Sequence, residues 1–124
     1  MEGCVFCGDI EKDRVLFETR KWIAMYDKYP VSKGHVLLIP KEHYETFFDL
    51  PEQLTNSIQY WIKHIKNILD DKYHPSGYNI GVNCGKSAGQ TVMHCHIHII
   101  PRYDGDVEDP RGGVRGVITS KQKY

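Results

Sequence analysis

The chain lacks any long apolar run, and it lacks an excess of charge of either sign. Lysine and arginine together number 16, as do aspartate and glutamate, so the formal net charge at pH 7 is zero. A balanced chain has no overall field to attract nucleic acid or an anionic membrane, so any anionic ligand must be met by a local site. No run approaches the ~18 apolar residues of a membrane span, and the N-terminal sequence MEGCVFC is neither basic nor long enough for a signal peptide. We therefore expect a cytoplasmic protein with neither a nucleic-acid nor a membrane partner.

Cysteine is also scarce, with 4 residues in a chain of 124. A chain of this length buries roughly two-thirds of its unfolded surface and needs no disulfides to hold a core. Internal repeats and domain linkers are absent from the sequence, so we predict one domain over residues 1–124. Cys4 and Cys7 have C-x-x-C spacing, which supplies half of a zinc site. An inert or redox-active pair is the alternative, although a thioredoxin-like motif needs a preceding strand for which this terminus leaves no room.

One long helix is predicted in the middle of the chain. Apolar side chains recur with helical spacing from Leu54 to Leu69. Asp49 and Glu52 have the spacing of a capping box. The pattern therefore predicts a helix that begins at Asp49 and runs to about Asp71.

Five other segments have strand character, because they are rich in β-branched and aromatic residues or alternate between apolar and polar ones. The fourth leads through a loop of small residues, 84–90, into the fifth, which carries three histidines. The predicted strands are 15–18, 22–26, 35–40, 78–83 and the histidine-rich stretch 91–101.

His94, His96 and His98 occupy alternate positions in that last stretch. A flat strand turns alternate side chains to one face, so the three imidazoles would share a surface. At a rise of ~3.3 Å per residue, the first and third α-carbons lie ~13 Å apart, too far for all three rings to grip one small ligand. We expect two rings to work together and the third to serve elsewhere, which requires an irregular start to the strand.

Two chemistries fit these residues. His96 and His98 could chelate a catalytic metal, since imidazoles two residues apart on a strand can bind one ion. Alternatively, one imidazole attacks a phosphorus atom while its neighbour and the amides of loop 84–90 hold the phosphoryl oxygens. Residues 81–87 superficially resemble a P-loop but have one residue too few between the glycines and lead to a strand. Such a turn can still aim backbone N–H groups at an anion, a purely structural hairpin being the alternative.

The histidine stretch resembles the histidine-triad (HIT) superfamily. The motif reads A-G-Q-T-V over residues 88–92, followed by H-x-H-x-H over residues 94–98, and the similarity extends from Cys4 to Arg102. The resemblance implies an α+β fold with a five-stranded antiparallel sheet, one long helix and a short one, and usually a homodimer. It also implies nucleotidyl chemistry.

Carried over position by position, the resemblance assigns roles to individual residues. His96 would be the nucleophile that takes up a nucleoside monophosphate as a covalent nucleotidyl-histidine, which water later releases. His98 would contact the α-phosphate, and Asp27 would accept the ribose hydroxyls. Thr91 would bind phosphate and donate a proton to the leaving group. The remaining positions are the phosphate-binding Asn83, Gly89 and Gln90, and His35, which supports the triad and is counted with the catalytic residues.

The resemblance also completes the metal site. Zinc-bearing members of the superfamily use the C-x-x-C pair, the histidine of the K-x-H segment and the first histidine of the triad. The corresponding residues here are Cys4, Cys7, His43 and His94. Two thiolates and two imidazoles leave no open position on zinc, so the ion would be structural.

Two branches of the superfamily compete for the substrate. Asn83 is similar to the phosphoramidase-like branch, whereas residues 89–91 and 101–106 resemble the dinucleoside-polyphosphate branch called fragile histidine triad. The tail 108–116 is similar to microbial members regarded as diadenosine-polyphosphate hydrolases, and Arg111 and Arg115 could reach a polyphosphate. We predict a hydrolase that cleaves the α-phosphate bond of a purine nucleoside 5′-phosphate derivative, such as diadenosine tetraphosphate. The alternatives are a nucleoside phosphoramidase that releases an amine from AMP, and a regulatory nucleotide-binding module with low turnover.

Overall fold

Five antiparallel strands form one open sheet, and a single long helix packs on one face of it. A computed structural model of the chain describes residues 4–8 and 11–124. The strand order is β1-β2-β3-β5-β4, so the last strand in sequence lies between the third and the fourth. The elements are β1 (Val15–Glu18), β2 (Trp22–Tyr26), β3 (Val36–Pro40), α1 (Glu52–Tyr73), β4 (Gly77–Gly81) and β5 (Ile97–Arg102). This is the predicted α+β architecture, except that short 3₁₀ turns stand in the described residues where a second short helix was expected.

The predicted start of the helix is wrong by three residues. Helix α1 begins at Glu52, and Pro51 is its N-cap. The Asp49 carboxylate instead accepts hydrogen bonds from the Thr46 backbone N–H at 3.0 Å and from its hydroxyl at 3.1 Å. Asp49 therefore completes a capping box on a preceding 3₁₀ turn. Two overlapping capping patterns lie in the sequence, and the fixed φ of proline favours a helix start just after it.

The two faces of the sheet carry different cores, because successive side chains of a strand point to opposite faces. The helix face carries the larger apolar cluster and packs against α1. The opposite face holds a smaller apolar cluster against which Phe6 and Val15 pack, so the N-terminal segment covers part of this face. The helix-face cluster includes Trp22, Ala24, Val36, Leu38, Ile65, Leu69, Ile97 and Ile99, and the opposite cluster comprises Ile23, Met25, Leu37 and Ile39.

Strand β5 begins later than the histidine stretch does. Only His98 of the three histidines lies in the strand, where it pairs with Leu37 of β3 and Gly81 of β4. Immediately before the strand, the Cys95 N–H donates to the Tyr44 carbonyl at 2.6 Å, which draws the chain out of sheet geometry. The strand therefore has the irregular start that we expected if one histidine serves apart from the other two.

No helix of the described residues is both long and apolar enough to cross a membrane.

Candidate functional site

A cavity of about 660 Å³ opens on the face of the sheet opposite α1, beside the start of β5. Its volume lies within the range of small-molecule sites. Apolar walls come from Met25, Leu37 and Phe6, and the polar groups converge from the loops around them. Seven of the residues predicted to act on a nucleotide line it: Asp27, His35, Asn83, Gly89, Thr91, His96 and His98.

The tautomer of His96 follows from a backbone contact. Its Nδ1 lies 2.9 Å from the carbonyl oxygen of His94. A carbonyl oxygen only accepts, so Nδ1 carries the proton and donates. The other ring nitrogen, Nε2, then holds a lone pair in neutral His96, and the ring lines the cavity. An imidazole in this state is a nucleophile near neutral pH.

His98 takes the opposite tautomer through a chain of two hydrogen bonds. The Val31 N–H donates to His35 Nδ1 at 3.1 Å, so neutral His35 carries its proton on Nε2. That Nε2–H lies 2.9 Å from His98 Nδ1, which must therefore accept. His98 is left with its proton on Nε2, so it is a hydrogen-bond donor. One backbone amide thus fixes the proton positions of two rings.

Burial keeps both of these histidines neutral. It lowers the pKa of His35, although the Asp27 carboxylate acts in the opposite direction. The pKa of His98 falls to about 4, chiefly through burial and then through the neighbouring His96 and His35. The Asp27 Oδ2 lies 3.4 Å from His35 Nε2 and 3.9 Å from His98 Nδ1. Because the rings are neutral at pH 7, these contacts are dipolar rather than ion pairs.

Asp27 has two environments at once. Its Oδ1 accepts the Tyr29 N–H at 2.9 Å, the geometry of an Asx turn. The side chain also lines the cavity. A carboxylate has about four lone-pair sites on its two oxygens. The turn therefore leaves acceptor capacity for hydroxyl groups of a ligand.

The glycine loop does not offer the row of free amides that the sequence suggested. The N–H groups of Ala88 and Gln90 both donate to the Gly85 carbonyl at 3.1 Å, and the Gly89 N–H donates to the Lys86 carbonyl at 2.9 Å. These three amides are used inside the loop, so they cannot also form an anion nest. Gly89 still lines the cavity, with a φ of +93° that favours glycine, and no described atom lies within 4 Å of where its Cβ would be.

The Gln90 side chain braces the loop, and its predicted place among the phosphate-binding residues stays a prediction. Its side chain is 3% exposed and is not part of the cavity wall. Its Oε1 accepts the Gly85 N–H at 2.7 Å, while its Nε2 donates to the carbonyls of Glu45 at 2.7 Å and Val92 at 3.1 Å. All of its hydrogen bonds run to the backbone, so it fixes the loop that presents its neighbours.

The four predicted metal ligands converge on one point. The His94 Nε2 lies 2.7 Å from the Pro40 carbonyl and so donates to it, which leaves the lone pair on Nδ1. That Nδ1 lies 3.3 Å from Cys4 Sγ, 3.2 Å from Cys7 Sγ and 3.1 Å from His43 Nδ1. In tetrahedral zinc sites the same donor types lie about 3.3–3.8 Å apart, given Zn–S and Zn–N bonds of about 2.3 and 2.0 Å. The donor set and the direction of the His94 lone pair both fit a zinc ion.

Phe6 and Val31 are among the contributors to the site that were missed at the sequence level. Phe6 lines the cavity, and its position between the two cysteines was the available signal, because any metal bound there fixes the residues between its ligands. Val31 contributes only a backbone N–H, to His35. No side-chain pattern signals such a group.

The open sheet, the paired histidines at the start of its last strand and the adjacent cysteine–histidine cluster define a histidine-triad type of protein. The sequence profile of the HIT domain matches residues 10–105. The chain therefore belongs to the HIT domain family, and both the predicted resemblance and the predicted fold class are confirmed.

An uncharacterized HIT-like protein of Methanocaldococcus jannaschii is 42% identical over 111 residues, covering 85% of this chain and 83% of that protein. A HIT family protein of Bacillus anthracis superposes with a TM-score of 0.79 at 36% identity, covering 85% of this chain and 77% of that one. A zinc-bound histidine-triad family protein of Mycobacterium smegmatis superposes with a TM-score of 0.77 at 33% identity, covering 86% and 80%.

Two further relatives are named for a reaction. An adenosine 5′-monophosphoramidase of Candida albicans is 35% identical over 110 residues, covering 82% of this chain and 72% of that protein. An adenylylsulfatase of Arabidopsis thaliana is 36% identical over 106 residues, covering 83% of this chain and 54% of that protein. The relatives of this chain thus include enzymes that are named for adenine nucleotides.

Proposed function

We propose that this protein is a nucleotide hydrolase in which His96 attacks the α-phosphorus of a nucleoside 5′-phosphate derivative. The observation that carries the proposal is the pair of opposite tautomers in one cavity. The His94 carbonyl leaves a lone pair on His96 Nε2, and the His35 chain leaves a proton on His98 Nε2. A nucleophile and a donor to phosphoryl oxygen are what transfer of a nucleotidyl group needs.

The reaction proceeds in two displacements. In the first, His96 Nε2 forms a bond to phosphorus, and the bond from phosphorus to the leaving group breaks with its electron pair. The leaving group takes a proton through the Thr91 hydroxyl, which regains one from water. In the second, a water oxygen bonds to phosphorus and loses a proton to solvent, which balances the proton that Thr91 took from water. The electron pair of the N–P bond returns to Nε2, so neutral His96 is restored. His98 Nε2–H stabilises the negative charge on the phosphoryl oxygens in both steps.

Asp27 is the residue that would hold the ribose. It lies on the loop after β2. In the sheet, β3 is the neighbour of β5, which carries His98, and β2 is the next strand beyond β3. Neighbouring strands are about 4.8 Å apart, so the cavity extends across the sheet over a nucleoside-sized distance. The apolar Met25 and Leu37 in its wall suit the flat face of a base.

The leaving group is better matched to a small amine or sulfate than to a second nucleotide. Arg111 and Arg115 do not line the cavity. Arg115 donates to the carbonyls of Gln122 at 3.2 Å and Lys121 at 2.9 Å, so it closes the tail on itself. The named relatives, an AMP phosphoramidase and an adenylylsulfatase, favour AMP bonded to a small group. Hydrolysis of a dinucleoside polyphosphate such as diadenosine tetraphosphate stays a prediction.

A panel of substrates tests this proposal. Steady-state rates would be measured for adenosine 5′-phosphoramidate, adenylyl sulfate and diadenosine tetraphosphate with the wild-type protein, with His96→Asn and with the matched surface control His64→Asn. We expect the phosphoramidate or the sulfate to have the highest kcat/KM, His96→Asn to lose turnover while still binding AMP, and His64→Asn to behave as wild type.

Three outcomes would contradict parts of the proposal. Full turnover by His96→Asn would refute the covalent mechanism. Binding of AMP without turnover of any substrate would instead identify a nucleotide-binding module. A highest kcat/KM for diadenosine tetraphosphate would restore the polyphosphate prediction and overturn the preference for a small leaving group.

The metal that we propose is a structural zinc held by Cys4, Cys7, His43 and His94. All four ligands come from protein, so the ion would have no open position for substrate.

The homodimer that the family resemblance implies also stays a prediction. Strand β4 is an edge of the sheet, and Ile80 on it is 48% exposed beside Ile58 and Ile62 of α1.

A further inference from the structure

The turn between the two cysteines forms part of the cavity wall. The Cys7 N–H donates to the Cys4 carbonyl at 3.2 Å, which closes a tight turn. Val5 and Phe6, the two residues inside this turn, both line the cavity. The cysteines on either side point to the cluster that fits zinc. One turn of backbone therefore belongs to the metal site and to the nucleotide cavity.

Phe6 is the side chain that touches both sites. Its ring centroid lies 5.2 Å from that of His96 and 6.0 Å from that of His94, each in an edge-to-face arrangement. The same ring packs on the apolar cluster that includes Met25 and Leu37. A ring in these contacts limits the rotation of His96 and covers part of the sheet face on which the cavity opens. It can hold that position only while the turn that carries it is fixed.

His94 makes a second connection of the same kind. Its ring is wholly buried and belongs to the metal cluster. Its backbone carbonyl accepts the His96 Nδ1–H at 2.9 Å. The residue that a metal would fix by its side chain therefore fixes the nucleophile by its backbone.

We propose that metal binding at the cysteine–histidine cluster and nucleotide binding in the cavity are coupled, with Phe6 as the positioning residue that transmits the coupling. The inference rests on the proposed function, since it requires a nucleotide in the cavity. Coupling between two sites is reciprocal. If bound metal raises the affinity for nucleotide by some factor, bound nucleotide must raise the affinity for metal by the same factor. The cluster would then support the shape of the cavity as well as the stability of the fold.

The experiment follows metal rather than turnover. Full-length zinc-loaded protein is equilibrated with a graded series of a competing chelator, and the zinc affinity is determined with and without saturating AMP, whose binding is established separately by calorimetry. We expect AMP to raise the zinc affinity by about tenfold, in the usual range of coupling between sites. Phe6→Ala should bind one zinc per chain but with the same affinity with and without AMP. Phe6→Leu, which keeps an apolar side chain of similar reach, should recover most of the effect of AMP.

The matched control is Phe48→Ala, which makes the same substitution at a side chain that is 83% exposed and lies outside the cavity wall. It should show the full effect of AMP. AMP that binds to wild type without raising the zinc affinity would overturn the coupling alone. An equal effect of AMP in Phe6→Ala and in wild type would overturn the role of Phe6 as the residue that transmits it. A wild-type protein that binds no AMP would overturn the proposed function together with the coupling.

Discussion

Two groups of metal-ligating side chains lie on the same side of the sheet, and the spacing of their atoms is alike. The first group consists of Cys4, Cys7, His43 and His94, and the second of Asp27, His35 and His98. Within each group, the atoms that could bind a metal all lie within 4.8 Å of one another. The two groups differ in which nitrogen of each histidine ring carries the proton. The Pro40 carbonyl leaves a lone pair on His94 Nδ1, facing the cluster. The Val31 N–H puts a proton on His35 Nε2, between the would-be ligands.

Backbone hydrogen bonds therefore decide which chemistry each group has. The Pro40 carbonyl accepts the Nε2–H of His94, so Nδ1 keeps the lone pair that can bind a metal. The Val31 N–H donates to Nδ1 of His35, so Nε2 keeps its proton and is a hydrogen-bond donor. A metal between His35 and His98 would have to displace that proton. The predicted catalytic metal was to be held by His96 and His98, and it would need a lone pair on His98 Nε2, where the same hydrogen-bond chain places a proton. That hypothesis is therefore disfavoured, and the phosphate-donor function of His98 is favoured.

The largest effect is expected when a ligand of the first group is replaced. Cys4→Ser should reduce the zinc content of the purified protein from one per chain to none and lower the melting temperature, because three remaining ligands bind zinc far more weakly and metal binding contributes to folding. Elemental analysis and thermal unfolding measure both quantities. Retention of one zinc per chain with an unchanged melting temperature would contradict the assignment of the metal to the first group.

A smaller effect is expected when the second group is broken. His35→Ala removes the hydrogen bond that fixes the His98 tautomer, so we expect kcat to fall on the order of 10²-fold, the usual cost of losing a donor to phosphoryl oxygen. Zinc content should stay at one per chain. His35→Gln keeps an N–H donor at a similar reach and should recover part of the rate. Equal rates for both variants and wild type would show that the tautomer of His98 does not matter.

The smallest effect concerns stability and pH. The pKa of His98 is about 4 in the folded protein, below its ordinary value of 6.5. The unfolded chain therefore binds more protons between these values, and the stability that neutral His98 contributes is complete above pH 6.5 and is lost as the pH falls toward 4. Between pH 7 and 4.5, the free energy of unfolding should fall by about 2 kcal/mol more in wild type than in His98→Asn. Urea unfolding at both pH values measures the difference, and parallel profiles would contradict it.

Both proteins in that comparison keep all four metal ligands, so loss of zinc at low pH affects them equally. The difference between the two profiles then belongs to His98 and its partners. His35 remains in both, and its own pKa is lowered by burial.

The sequence predicted the parts of this fold that depend on side-chain pattern. The first two strands have the predicted limits, Val15–Glu18 and Trp22–Tyr26, because aromatic and β-branched residues are bounded there by a polar turn. The apolar stripe of α1 was equally clear. The helix start was misread because Thr46, Asp49 and Glu52 are equally spaced, and only the packing decides which pair forms the cap.

The site was predictable to the same extent. Motif positions identified seven residues that line the cavity, but they did not reveal its apolar wall or that the Gln90 side chain points away from it. Gln90 stands between two cavity residues, yet the loop needs its amide for the Glu45 and Val92 carbonyls. The tautomers of the histidines depend on Val31 and Pro40, whose contributions are backbone groups and are the same for most residue types.

The cysteine–histidine cluster also has a consequence for how the chain is closed. Cys4 and His94 are separated by 90 positions, whereas Cys7 and His43 are separated by 36. A metal that joins them acts as a reversible cross-link over most of the chain, and a cross-link of that length restricts the unfolded ensemble by about 4 kcal/mol on the scale known for disulfides. During synthesis Cys4 emerges 90 positions before His94. The cross-link therefore closes late, when the sheet that it ties together is already complete in sequence up to β4.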